Sequence, residues 1–172
     1  MRTSRRLELI VSVSVVILDQ ITKAIVRPAL TLHESREVIP GLLDLTRVHN
    51  TGAAFGMLNS VDFPFKTVVL SLVAAVALGG VAWYAATVPL NDRLARFGIA
   101  GVLGGAIGNL IDRARSGYVL DFVDAYWGGW HFWAFNVADA AITVGVIFLI
   151  LDILGLGKRS NGQASINASN PV

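Results

Sequence analysis

Four apolar stretches, Leu7 to Val26, Phe65 to Val88, Phe97 to Ile111 and Phe132 to Leu154, govern what this chain can fold into. A helix needs about 20 apolar residues to cross a hydrocarbon layer roughly 30 Å thick, and three of the stretches are near or above that length. The third is short for a crossing unless its polar extension, Asn109 to Arg113, also lies at membrane depth inside protein. The sequence therefore predicts an all-α membrane protein, a bundle of four transmembrane helices. Composition agrees: 54% of the 172 residues are hydrophobic and 15% charged, with a mean hydropathy of +0.62. A soluble core of this size cannot hide so much apolar surface.

The same composition removes several function classes. Net charge is only +2 and the basic residues are scattered, so no nucleic-acid partner is expected. The absence of cysteine excludes disulfides, thiolate metal sites and a cysteine nucleophile, while His33, His49 and His131 lie far apart and form no zinc-peptidase pair. The first helix imitates a secretory signal, with Arg2, Arg5 and Arg6 ahead of an apolar run. Asp19 and Lys23 interrupt that run, and no small-x-small cleavage site ends it, so a retained helix is expected.

Between the first and second helices, residues 27–64 read as a small β-containing extramembrane platform. Short strands are expected across Val38 to Val48, which Pro40 and Gly41 interrupt. Residues 1–157 form one membrane domain, and residues 158–172 read as a disordered cytoplasmic tail. The two possible faces carry equal numbers of basic residues. Those at Arg2, Arg5, Arg6, Arg93, Arg96, Lys158 and Arg159 are dense in short segments, which places both termini in the cytoplasm.

Ionisable groups inside membrane segments each cost roughly 2.5 to 3.5 kcal/mol on insertion, so each needs a partner or a purpose. Asp19 and Lys23 stand four apart in the order that favours a helical ion pair. Asn50 opens a run of small residues, Asn50-Thr-Gly-Ala-Ala-Phe-Gly56, which lets backbone approach closely. Helix three carries Gly101-x-x-x-Gly105 and Gly104-x-x-x-Gly108, a spacing for tight helix contact, then Asn109, Asp112 and Arg113, where a local Asp112–Arg113 ion pair is expected.

The densest polar signal comes last. With helix four starting near Phe132, Asn136, Asp139 and Thr143 fall on one stripe, and Asp139 lies about 10 Å below the helix start at 1.5 Å per residue. No basic residue in its own segment can pair with it. An unpaired buried carboxylate calls for a proton or for a second carboxylate sharing one. Asp121 is the natural second member and Asp124 competes; spacing alone does not separate them. Two such acids suit peptide hydrolysis, a proton-relaying transporter or, less economically, a structural subunit. A serine–lysine peptidase using Lys23 is disfavoured because a paired lysine stays charged.

The strings Asp19-Gln-Ile-Thr-Lys23, Asn50 to Gly56, Gly104-Gly-Ala-Ile-Gly-Asn-Leu-Ile-Asp-Arg113, Gly117-Tyr-Val-Leu-Asp-Phe-Val-Asp124 and Phe135-Asn-Val-Ala-Asp-Ala-Ala-Ile142 resemble, in order, the motifs of bacterial lipoprotein signal peptidase, or signal peptidase II. The resemblance runs from Leu7 to Leu154. It implies an inner-membrane aspartic endopeptidase that removes the signal peptide from diacylglyceryl-modified prolipoproteins, cutting just before the lipidated cysteine. It further implies a monomer in contact with membrane lipid, without metal or cofactor and with its active site near the periplasmic face. Carried over by motif, the catalytic pair is Asp121 and Asp139. Asn50, Gly108, Asn109, Arg113, Asn136, Ala138, Asp19 and Lys23 match positions that support the family's site or bind its substrate. Ala125 stands where the family usually has an aromatic, and Trp133 where proline is frequent.

Overall fold

The structure is a computed structural model that describes residues 2–52, 61 and 63–156, with side chains from residue 5. The end of the small-residue run, Ala53 to Gly56, and the expected tail of residues 158–172 lie outside the described residues. In chain order the elements are α1 (Arg2–Ala29), β1 (Ser35–Ile39), β2 (Leu43–Asn50), α2 (Lys66–Thr87), α3 (Arg93–Ser116), β3 (Val119–Trp127), β4 (Trp130–His131) and α4 (Val137–Ile153).

Among the described residues, three helices, residues 5–29, 66–87 and 93–116, are long and apolar enough to cross a membrane. Their surfaces explain why lipid is required. Leu72, Val73 and Val76 of α2 are each more than 60% exposed, and Leu9, Ile10 and Ile25 of α1 lie open in the same way. Water would penalise such continuous apolar faces, whereas acyl chains solvate them. The short third stretch is only the middle of α3, whose 24 residues reach about 36 Å and carry Asn109 to Arg113 inside the helix. The fourth element departs from expectation. It spans 17 residues, about 26 Å, and begins at Val137 rather than near Phe132. Asn136 stops it: its side chain accepts the Asp139 N–H while the Asp139 side chain accepts the Asn136 N–H, a reciprocal cap that fixes the first turn.

α3 is the axis of the bundle and touches α1, α2 and α4. Its glycines divide between two neighbours. A β-carbon at Gly101 would stand 2.8 Å from the Ala141 carbonyl oxygen of α4, and one at Gly104 would stand 2.7 Å from that of Ser12 in α1. The helices therefore approach at backbone distance on both faces, as the paired small-residue spacing predicts.

An antiparallel sheet, ordered β1-β2-β3-β4, caps the end of the bundle where α1 and α3 finish and α4 begins. Only β1 and β2 come from the expected platform. The other half comes from the α3–α4 connection, whose Val119–Trp127 segment is rich in β-branched and aromatic residues and pairs along β2. Val26 of α1 and Leu30 just past its end pack on Phe122 of β3, with Leu45 and Val137 around them, so one small core joins helix, sheet and the start of α4.

Candidate active site

Strand alternation separates the competing aspartates. Asp121 and Asp124 are three apart on β3 and point to opposite faces. Asp121 faces the helices and is 2% exposed. Asp124 turns to the outer face, where its Oδ2 meets His131 Nδ1 at 2.9 Å and Asp44 stands opposite on β2.

Asp139 reaches the same place from α4. It is the third residue of the helix, in the first turn rather than about 10 Å deep, because the Asn136 cap delays the helix start. Thr143, expected on the same stripe, is exposed and donates to the Asp139 carbonyl oxygen at 2.8 Å. The stripe thus ends at Asp139.

Amide side chains tie the two acids together. Asn136 Nδ2 donates to Asp121 Oδ1 at 2.6 Å, and Asn50 Nδ2 donates to Asp121 Oδ2 at 2.9 Å. Asn109 Nδ2 donates to Asp139 Oδ1 at 2.8 Å. The Asn109 oxygen accepts from Asn136 Nδ2 at 3.3 Å and from Lys23 Nζ at 3.1 Å, which fixes its amide group the right way round. Asn50, Asn109 and Asn136 are all buried, so the two bonds to Asp121 are made away from water and are correspondingly costly to lose. Burial, and then the neighbouring charge of Asp139, push the Asp121 carboxyl from 3.8 up to about 7; the bonds from Asn50 and Asn136 oppose the shift.

The remaining sequence-marked residues surround this pair. Lys23 and Asp19 form their ion pair at 2.9 Å, and the lysine is 2% exposed, which excludes snorkelling to the interface. The adjacent Asp112–Arg113 pair does not form, because neighbours on a helix point about 100° apart. Asp112 instead meets Lys23 of α1 at 3.0 Å, and Arg113 donates to the Gly52 carbonyl oxygen at 3.1 Å, tying α3 to the end of β2. Gly108 lets Asp19 in: a β-carbon there would lie 2.6 Å from Asp19 Oδ2. Ala138 contributes its backbone N–H to Asp19 Oδ1 at 3.1 Å. Two participants escaped the sequence reading, Asp112 as a partner of Lys23 and Gln20. The Gln20 amide nitrogen lies within 3.3 Å of Asp19 Oδ2, the Gly108 carbonyl oxygen and Asp112 Oδ1. Both stand in motif strings quoted above, and helical spacing would have placed Gln20 close to the Asp19–Lys23 face.

Comparison with known proteins converges on one family. The model described as signal peptidase (SPase) II matches residues 11–155. A lipoprotein signal peptidase of Syntrophus aciditrophicus is 42% identical over 147 residues, 86% of this chain and 91% of its own length. One from Geobacter metallireducens is 41% identical over 94% of this chain and 98% of its own. A solved bacterial membrane enzyme, determined by the in meso method at 2.3 Å, superposes with a TM-score of 0.74 at 31% identity, covering 96% of this chain and 93% of its own. With the matched span running from α1 to the end of α4 and enclosing both Asp121 and Asp139, the chain belongs to the signal peptidase II family of membrane proteases.

Proposed function

We propose that this chain is an aspartic endopeptidase of the bacterial inner membrane that removes signal peptides from diacylglyceryl-modified prolipoproteins, cutting just before the lipidated cysteine, with Asp121 and Asp139 as the reacting pair. The observation that carries the reading is the delivery of two carboxylates, the buried Asp121 from β3 and the half-buried Asp139 from α4, into one amide-lined site. A pair holding one proton supplies both functions that amide hydrolysis needs. The ionised member takes a proton from water as it attacks the scissile carbonyl while the protonated member gives its proton to the carbonyl oxygen; on collapse the first member passes the proton it took to the leaving amine as the C–N bond breaks, and the second recovers its own from the hydroxyl of the tetrahedral intermediate. The pair titrates as a unit.

Asn50, Asn109 and Asn136 orient the carboxylates, and Arg113 lends positive charge beside them. A serine–lysine mechanism gains no support, since Lys23 is held between two acids. The substrate's lipid anchor would fix the scissile bond at the depth of the site, so that positioning contributes to rate. In this reading all four helices cross the bilayer, both termini are cytoplasmic, and the sheet lies on the periplasmic side. The chain acts as a monomer, with residues 1–157 as one peptidase unit.

Cleavage of a synthetic lipidated prolipoprotein by the purified chain tests the proposal, with the unlipidated peptide, EDTA and a serine-directed reagent as controls. The expected result is turnover of the lipidated substrate alone, unaffected by either reagent. Equal turnover of both substrates, or inhibition by the serine reagent, would contradict it.

A further inference from the structure

Behind the dyad lies a second set of buried charges. Asp19 Oδ2 and Asp112 Oδ2 flank the Lys23 ammonium at 2.9 and 3.0 Å, and none of these side chains is more than 3% exposed. The third proton of the ammonium goes to Asn109 Oδ1 at 3.1 Å, which uses all its donors. Each acid also holds a backbone N–H. Asp19 accepts from Ala138 at 3.1 Å, the residue immediately before Asp139. Asp112 accepts from Leu120 at 3.0 Å, the residue immediately before Asp121. The three arms of one lysine therefore end at the backbone N–H of the residue before each dyad aspartate and, through Asn109 Nδ2, at Asp139 Oδ1 at 2.8 Å.

We infer that Lys23, Asp19 and Asp112 form a positioning clamp that sets the separation and orientation of Asp121 and Asp139. Asp121 rides on a strand and Asp139 on a helix start, and no covalent neighbour fixes one relative to the other. A shared ammonium with an acid on each side does so, because displacing either backbone segment breaks a charge-assisted bond among groups shielded from bulk solvent. Helix association alone does not require this arrangement. An apolar trio of similar volume would hold α1 to α3 as well or better, yet it could not take the Leu120 and Ala138 N–H groups. Gln20 closes the clamp from the side, with its amide nitrogen near both acids. The charged groups facing this region are Asp19 and Lys23 of α1, Asp112 and Arg113 of α3, Asp121 of β3 and Asp139 of α4.

This inference rests on Asp121 and Asp139 being the reacting pair, so the experiment carries both dyad variants as controls. The full chain in detergent would be assayed for kcat, KM, pH profile and thermal midpoint as wild type, Asp112→Asn, Asp112→Leu and Lys23→Met. A clamp predicts a fall in kcat on the order of tenfold to a hundredfold in folded protein, since small misplacements of reacting groups cost that much. KM for the lipidated substrate should stay within about twofold, and the upper limb of the pH profile should move. Asp112→Asn, which keeps an acceptor for the Leu120 N–H, should retain more activity than Asp112→Leu. Should Lys23→Met fail to fold, Asp112→Asn decides the matter. Activity that merely tracks the folded fraction, with an unmoved pH profile, would overturn the clamp and leave a scaffold role, as would wild-type kcat in Asp112→Asn. Active Asp121→Asn or Asp139→Asn controls would instead overturn the reading of the dyad.

Discussion

Three amides turn two acids into a site, and Asn136 does most. It caps α4, donates to Asp121 and contacts the Asn109 oxygen. Asn136→Ala should lower kcat/KM roughly tenfold to a hundredfold without abolishing cleavage, because a buried bond of this kind is worth about 1 to 3 kcal/mol. The same change should cost about 1 kcal/mol of stability through the lost cap. Wild-type turnover would place Asn136 outside the chemistry. Asp121 predicts a pH dependence of fixed sign. Its folded-state value is raised from 3.8 to about 7, so the folded protein binds this proton more tightly than the unfolded chain does. The group's contribution to stability is whole below about pH 4 and is lost as the pH climbs through about 7. Thermal midpoints in detergent should therefore decline across that window in the wild type and decline less in Asp121→Asn; equal slopes would contradict the shift. The amides were legible in the sequence as polar residues in apolar surroundings. The choice of Asp121 over Asp124 was not, since it depends on strand alternation in a segment that reads as a mere connection between two apolar runs.

At the scale of elements, α3 organises everything by presenting glycine to α4 at 101 and 105 and to α1 at 104 and 108. Gly101→Val should therefore force α4 outward and destabilise the bundle by about 1 to 3 kcal/mol, read as a lower thermal midpoint. The same substitution at Gly79, where a β-carbon meets nothing within 4 Å, is the control. An equal effect at both positions would show that helix propensity rather than close packing was being measured. The small-residue spacing made these contacts legible in advance. The start of α4 was not, because the apolar residues Phe132 to Phe135 continue the helical pattern upstream. Phe135 in fact bonds to β3, with its N–H donated to the Val123 carbonyl oxygen at 3.0 Å. The Asn136-x-x-Asp139 spacing was the available signal, a cap in which the acid serves both the helix and the site. Long-range pairing was the other gap. Lys23 and Asp112 meet only because α1 and α3 pack closely through Gly104 and Gly108.

For the whole molecule, the apolar runs and the sheet define a protein whose polar groups converge at one end of a bundle, with Glu8 and Arg96 paired at 2.8 Å near the other. The arginine-dense ends predict an orientation that fusion reporters can check. A reporter at the C-terminus should be active only in the cytoplasm, and activity solely on the opposite side would invert the proposed topology. The central claim, that Asp121 and Asp139 perform the hydrolysis, is tested most directly by cleavage of lipidated prolipoprotein with Asp121→Asn, Asp139→Asn and Asp124→Asn measured side by side. Asparagine keeps the shape of the acid but cannot ionise or pass a proton. The account predicts no turnover from either dyad variant while each remains folded, and appreciable turnover from Asp124→Asn. Turnover by a folded Asp121→Asn or Asp139→Asn, or a dead Asp124→Asn beside an active Asp121→Asn, would contradict it.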